Sequence, residues 1–151
     1  MTDNMNEKRL SSRVIGYWEK LRGEGERIPE ISKFRSNMLE DVWGQCIKVN
    51  INFANGAPKF KFEHIGEDVS KAMGKKMQDQ PVTGVANVPG GRILNRITLL
   101  LPQLSTPIQD HGEMLNEKNQ MVKYRSCILP FGNKDGELTH VIIALSWRIF
   151  K

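Results

Sequence analysis

Cysteine is scarce in this 151-residue chain: Cys46 and Cys127 stand alone, with no Cys-x-x-Cys pair. That excludes a disulfide framework and a cysteine-rich zinc site, and it predicts reduced thiols in a cytoplasmic setting. Long apolar runs are missing too. None approaches the ~20 residues that a membrane-spanning helix needs. The polar stretch Met1–Arg9 lacks the apolar core of a secretory signal. Nucleotide signatures are absent. Gly74-Lys75 and Gly132-Asn133-Lys134 do not have phosphate-loop spacing, and Gly23 with Gly25 has neither a third glycine nor a preceding strand. HExxH, GxSxG and kinase motifs do not occur, so the sequence argues against an enzyme.

What is present is ordinary for one globular domain: 39% hydrophobic and 26% charged residues, too apolar for a disordered chain. The net charge of +5 raises nucleic acid as a partner. Its basic residues are dispersed, however, and the densest run (Lys71, Lys75, Lys76) is short, which favours a solvated face.

Along the chain, Leu10, Val14, Tyr17, Trp18 and Leu21 recur at helical spacing, with Ser11 or Ser12 available as a cap. Gly23 to Glu26 ends that helix, and a second short helix is predicted over Ser36–Trp43. The period then becomes two. Ile47, Val49, Ile51 and Phe53 alternate with polar residues, Asn55-Gly56 signals a turn, and Phe60, Phe62 and His64 continue the alternation. Gly66 closes this hairpin. Short helical turns follow from Glu67, broken at Gly74, and a Pro/Gly loop covers Gln80–Gly91. A helix is predicted over Arg92–Leu104, a weak polar strand over Ile108–Met114, a turn over Asn116–Asn119, and strong strands near Gln120–Phe131 and Glu137–Phe150.

The closing hairpin is the most informative segment. Lys123 and Arg125 face water, which turns Val122, Tyr124, Ser126 and Ile128 inward; in the last strand Val141, Ile143, Leu145, Trp147 and Ile149 form the inner row. Paired residues share a face, so even-numbered inward residues must meet odd-numbered ones. A four-residue loop, Asn133–Gly136, satisfies this and sets Ile128 opposite Val141 and Tyr124 opposite Leu145. The outer row (Leu138, His140, Ile142, Ala144, Ser146, Arg148) is too apolar for open solvent. The helix carrying Trp18 is its predicted cover, from the same chain or from a second copy.

This order of elements resembles a PAS domain preceded by extra helices. Tyr17-Trp18, Leu21-Arg22 and Ile28-Pro29 look like the opening of a family of short, stand-alone bacterial PAS proteins. Phe60-Lys61-Phe62, leading to Gly66 and Gly74, is similar to that family's second strand and helical turn. Tyr124 to Gly132 resembles its penultimate strand with a Leu-Pro-hydrophobic ending. Glu63, Glu67 and the loop at 81–91 depart from the pattern. The resemblance implies an α+β fold: a five-stranded antiparallel sheet with helices on one face, and an N-terminal helical extension. It divides the chain into an extension (1–35) and a PAS-like domain (36–151). It further implies a sensory or signal-transducing module, with a cavity for a small molecule or a role in dimerisation. No output domain fits, so a signal must leave through a homodimer or a signalling protein partner.

The expected pocket is lined by Ile97, Leu101, Tyr124, Ser126, Leu145 and Trp147, with His64 at its rim and Ser126 and Tyr124 as polar handles. The alternative is a filled core in an interaction adaptor without ligand. Interface candidates are Val14, Tyr17, Trp18, Leu21, His140 and Ile142. Asp110-His111 with Glu113 reads as a polar edge rather than an acid/base group. Haem is disfavoured because PAS haem ligation usually comes from the helix before the last three strands, and Arg92–Leu104 has no histidine. A flavin adduct needs a helical cysteine, whereas Cys46 and Cys127 fall in or beside strands and face outward. His140 with Cys127 supplies two donors where zinc takes three or four protein ligands.

Overall fold

The helical period of Leu10, Val14, Tyr17, Trp18 and Leu21 lies in one helix, α1 (Asn4–Leu21), in a computed structural model that describes residues 4–53, 57–74 and 104–151. The helix starts before Ser11 and Ser12, which sit mid-helix rather than at a cap. It ends at the glycines as expected. The Gly23 amide donates to the Glu26 carboxylate at 2.6 Å, and Gly25 turns the chain with φ of 82°.

The short helix predicted over Ser36–Trp43 is instead a series of 3-10 turns, at Ile31–Lys33, Ser36–Leu39 and Trp43–Gln45. A segment this short cannot repay α-helix nucleation. It closes i→i+3 bonds instead, from Val42 to the Leu39 carbonyl and from Gln45 to the Val42 carbonyl. Leu39 is fully buried and anchors the segment, while Met38 points out.

The alternating segments are strands β1 (Cys46–Asn52) and β2 (Lys59–Ile65), followed by α2 (Glu67–Met73). Three further strands, β3 (Ile108–Leu115), β4 (Met121–Gly132) and β5 (Leu138–Phe150), complete the sheet. Its order is β2-β1-β5-β4-β3 with every neighbour antiparallel, the PAS-like arrangement. The Asn55-Gly56 turn, the loop at 80–91 and the helix predicted up to Leu104 lie outside the described residues, apart from Leu104 itself.

In the β4–β5 hairpin, parity holds but register does not. Ile128 pairs with Ile143 and Tyr124 with Trp147, two residues further along β5 than the four-residue loop predicted. The turn is longer. Asn133 accepts the Asp135 and Glu137 amides on its side-chain oxygen, and Gly136 takes a positive φ of 80°. An irregularity between Phe131 and Gly132 then absorbs one more residue on β5. One residue of loop and one of bulge total two, which keeps the inner row facing in.

The α1 helix packs against β5 and β4 over the outer row of the sheet. Small residues there, Ala144, Ser146 and Cys127, let the helix approach closely. Val14 and Trp18 are at most 1% exposed, and the indole N–H of Trp18 donates to the Pro130 carbonyl at 2.7 Å. Pro130 lies beyond the last β3–β4 pair, Ile108 with Ile128, where a strand residue without an amide proton leaves no donor unpaired. Two residues on, the Gly132 amide donates to the Pro29 carbonyl and Glu30 bridges to Gly132 in parallel, so the incoming chain is tied to β4 twice.

At the β2–α2 junction the Gly66 amide donates to the Cys46 carbonyl, and a Cβ at Gly66 would overlap the backbone carbonyl of Gly44. Backbone cannot yield as a side chain does. Gly66→Ala is therefore expected to lower unfolding free energy by about 3 kcal/mol, the upper end for overpacking, read by urea denaturation. In the same assay Trp18→Ala should cost about 3–5 kcal/mol for the emptied site. Trp18→Phe should cost roughly 1–3 kcal/mol for the orphaned Pro130 carbonyl.

Candidate functional site

The two faces of β5 carry different chemistry. Ile143, Leu145 and Val141 on the inner row are at most 1% exposed, as are Val49 and Ile128 beside them. α2 contributes Val69, Ala72 and Met73 to the same core. Within this apolar row Ser126 is buried, and its hydroxyl lies 3.4 Å from the Asp110 carbonyl across the β3–β4 pair. Tyr124, half-buried, pairs with Gly112, where its ring fills the space that a Cβ would need. Leu145 is fully buried, and Trp147 is half-buried where the row emerges towards the end of the strand. Of the expected pocket residues, Tyr124, Ser126, Leu145 and Trp147 thus share one face. Ile97 and Leu101 lie outside the described residues.

His64 is not among them. Alternation alone aligns it with Phe60 and Phe62, but the β1–β2 register shifts between Lys48 and Val49. Phe62 pairs with Val49 and His64 with Lys48, so Glu63 is the extra residue of a bulge. One extra residue reverses parity beyond it. The imidazole therefore sits with the outer row. It stacks on Trp43 with ring centroids 4.2 Å apart and a 10° interplanar angle, its Nε2 lying 3.2 Å from the Trp43 carbonyl.

That position is part of a seam the sequence did not signal. Phe34 is the hub: its ring meets Trp43 at 5.3 Å, Phe131 at 5.7 Å and Tyr17 at 6.0 Å, with the Lys48 ammonium 5.7 Å from its centroid. The Tyr17 hydroxyl closes a two-way bond with Arg35, accepting its amide at 2.9 Å and donating to its carbonyl. Beside the seam the Glu63 carboxylate lies 3.1 Å from His140 Nε2 and 3.5 Å from Lys48 Nζ. His140 Nδ1 lies 2.9 Å from the Thr139 hydroxyl. Phe34 carries no periodic signal because it lies in an irregular stretch, and Glu63 sits in a regular alternation that does not reveal the bulge.

The interface candidates on α1 are used within the chain. Val14, Tyr17 and Trp18 are buried against the sheet, Leu21 is half-buried, and Ile142 is covered. These residues pack against the chain's own sheet. Cys46 and Cys127 flank Ala144 on the same outer row, and burial pushes both thiols up to about 12. At neutral pH they are inert thiols. Among the described residues no helix is long and apolar enough to cross a membrane, and no three His, Cys, Asp or Glu side chains converge as a metal site.

No protein-family model matches the sequence, and no curated protein matches it either. Solved structures similar to this chain include a variant of Vivid (TM-score 0.47, 9% identity, covering 70% of this chain and 78% of that one). Another is the light-state dimer of Vivid, a fungal blue-light photoreceptor (TM-score 0.46, 10% identity, 68% and 77% covered). A third is the N-terminal domain of a diguanylate cyclase with PAS/PAC sensor from Marinobacter aquaeolei (TM-score 0.41, 14% identity, 67% and 93% covered). What makes this fold PAS-like is its own strand order.

Two histidines give the outer face a pH signature. Burial is the main cause that holds His64 below the ordinary imidazole value; the Trp43 carbonyl opposes it and Lys48 adds to it. Burial also lowers His140, with Glu63 pulling the other way and Lys48 again adding to the lowering. With both native values depressed, the unfolded chain takes up protons first as pH falls below about 6.5. Stability is then complete above that pH and declines towards pH 5. Urea midpoints at pH 7.5 and pH 5 should separate for the wild type, and the gap should narrow in a His64→Gln/His140→Gln double variant.

Proposed function

We propose that this chain is a non-enzymatic sensory or regulatory module of PAS-like fold, which couples a small molecule on the inner face of its sheet to a protein contact on the other side. One observation carries the reading. β4 bears Ser126 on its inner face, and four residues later its backbone carbonyl at Pro130 holds the Trp18 indole of the covering helix. A change in packing around Ser126 and Leu145 displaces the same strand that anchors α1. A ligand that binds one packing state more tightly shifts the population of both faces together.

The inner row supports a mostly apolar ligand. Ser126 and Tyr124 are polar groups that can orient such a molecule, with Asp110 of β3 paired beside Ser126. The outgoing signal passes to a homodimer partner or another protein through α1 or the segment around Phe34, because the outer row itself is already covered.

Native mass spectrometry of the protein purified from its own host tests this reading. A retained small mass is expected, diminished in Ser126→Ala, while Trp18→Ala alters oligomeric state or partner capture. A protein that carries no extra mass, and in which Trp18→Ala changes stability alone, would instead be an interaction adaptor with a filled core.

A further inference from the structure

Strand β5 is longer than the neighbour that covers one of its edges. The β1–β5 ladder ends at Cys46 opposite Ala144, yet β5 runs on to Phe150, still paired with β4 on its other side. Just before β1 the 3-10 turn at Trp43–Gln45 carries the chain off the line of the sheet. Among the described residues, no strand takes the vacated place.

The direction of the exposed backbone groups follows from one bond. Gln45 Nε2 donates to the Leu145 carbonyl at 3.1 Å, so the main-chain groups of Leu145 face the β1 side. Strand geometry repeats every two residues, which turns the N–H and C=O of Trp147 and Ile149 the same way. They face a groove of about 870 Å³ bounded by β5, α1, α2 and the segment around Asp41–Gln45. Its apolar lining includes Leu10, Ala72 and the side chains of Trp147 and Ile149. Its charge is unbalanced: Arg9, Arg13, Lys71 and Lys151 against Asp41 and Asp68. Arg13 is paired with Asp41 and Lys71 with Glu67, and both pairs are solvent-exposed.

A long sheet edge left open invites another chain to pair with it, and proteins that tolerate such an edge usually cover or charge it. Here the charge is net positive, and among the described residues helices wall the edge without pairing its backbone. From these features we infer that the groove receives an extended, acidic peptide segment of a partner protein, which adds as a strand antiparallel to β5 in continuation of β1. Backbone bonds to Trp147 and Ile149 supply the affinity, and alternate side chains settle on Trp147 and Ala72. The arginines and lysines select acidic residues. This docking mode does not depend on a ligand at the inner face, so it stands or falls separately from the sensory reading.

The test uses the full chain and fluorescein-labelled decapeptides that alternate Val with Glu, Ser or Lys, read by fluorescence anisotropy. The Val/Glu peptide is expected to bind, the Val/Ser peptide more weakly and the Val/Lys peptide not at all. Ile149→Pro removes one amide that faces the groove and none of those facing β4. It should weaken the Val/Glu peptide about tenfold, the equivalent of one lost hydrogen bond, with the circular dichroism spectrum unchanged. Arg9→Glu should erase the preference for acidic over basic peptides without touching the backbone edge. Equal binding of a Val/Glu peptide N-methylated on alternate residues would overturn strand addition in favour of simple charge attraction. No binding by any peptide, or self-association abolished by Ile149→Pro, would overturn the proposal as well.

Discussion

The indole of Trp18 sits at the point where the helix before the sheet becomes part of the fold. Its ring is buried against the outer row of β4 and β5, and its N–H takes the carbonyl of Pro130. Both terms matter, because a large apolar side chain is expensive to expose and a buried carbonyl is costly to leave unpaired. The bond also fixes a depth. With Trp18 set on Pro130, Val14 and Leu10 fall one and two turns back along the helix, and Leu10 comes beside the small side chains of Ala144 and Ser146. The aromatic seam of Tyr17, Phe34, Trp43 and Phe131 then closes beside it.

The sheet therefore has no free face in the region of α1. Outer-row residues that would be sticky in isolation are satisfied by the chain's own N-terminal helix. Among the described residues, what lacks a strand neighbour is an edge rather than a face: the last residues of β5, past the end of β1. Partner recognition through backbone pairing differs from recognition through an apolar patch, since it depends less on the identity of surface side chains and more on where a neighbouring strand stops.

The two histidines show how one irregular residue redistributes chemistry. Had β2 stayed regular, His64 would have stood on the inner face as a polar group among Phe60 and Phe62. The bulge at Glu63 moves it to the outer face and brings a carboxylate within reach of both His140 and Lys48. A titratable cluster forms there because Glu63, Lys48 and His140 come from three adjacent strands, whereas Ser126, Tyr124 and the Asp110 that pairs with Ser126 belong to the inner face.

Much of this was legible in the linear pattern. Alternation in Ile47–Ile51 and Val141–Ile149, helical spacing in Leu10–Leu21, and the glycines at 66 and 74 gave the elements, their order and the two faces of the last strand, because side-chain periodicity follows directly from backbone geometry. The half-apolar row from Leu138 to Arg148 even announced that something must cover it. Tertiary structure decided what periodicity cannot encode. A bulge at Glu63 and a longer turn at Asn133–Glu137 each add a residue without changing the local pattern, so the face of His64 and the register of β4 on β5 depend on pairing energies summed across strands. The placement of Trp18 on the sheet likewise depends on reach: the turns between Gly23 and Pro29 bring α1 back onto the strand to which Pro29 is bonded.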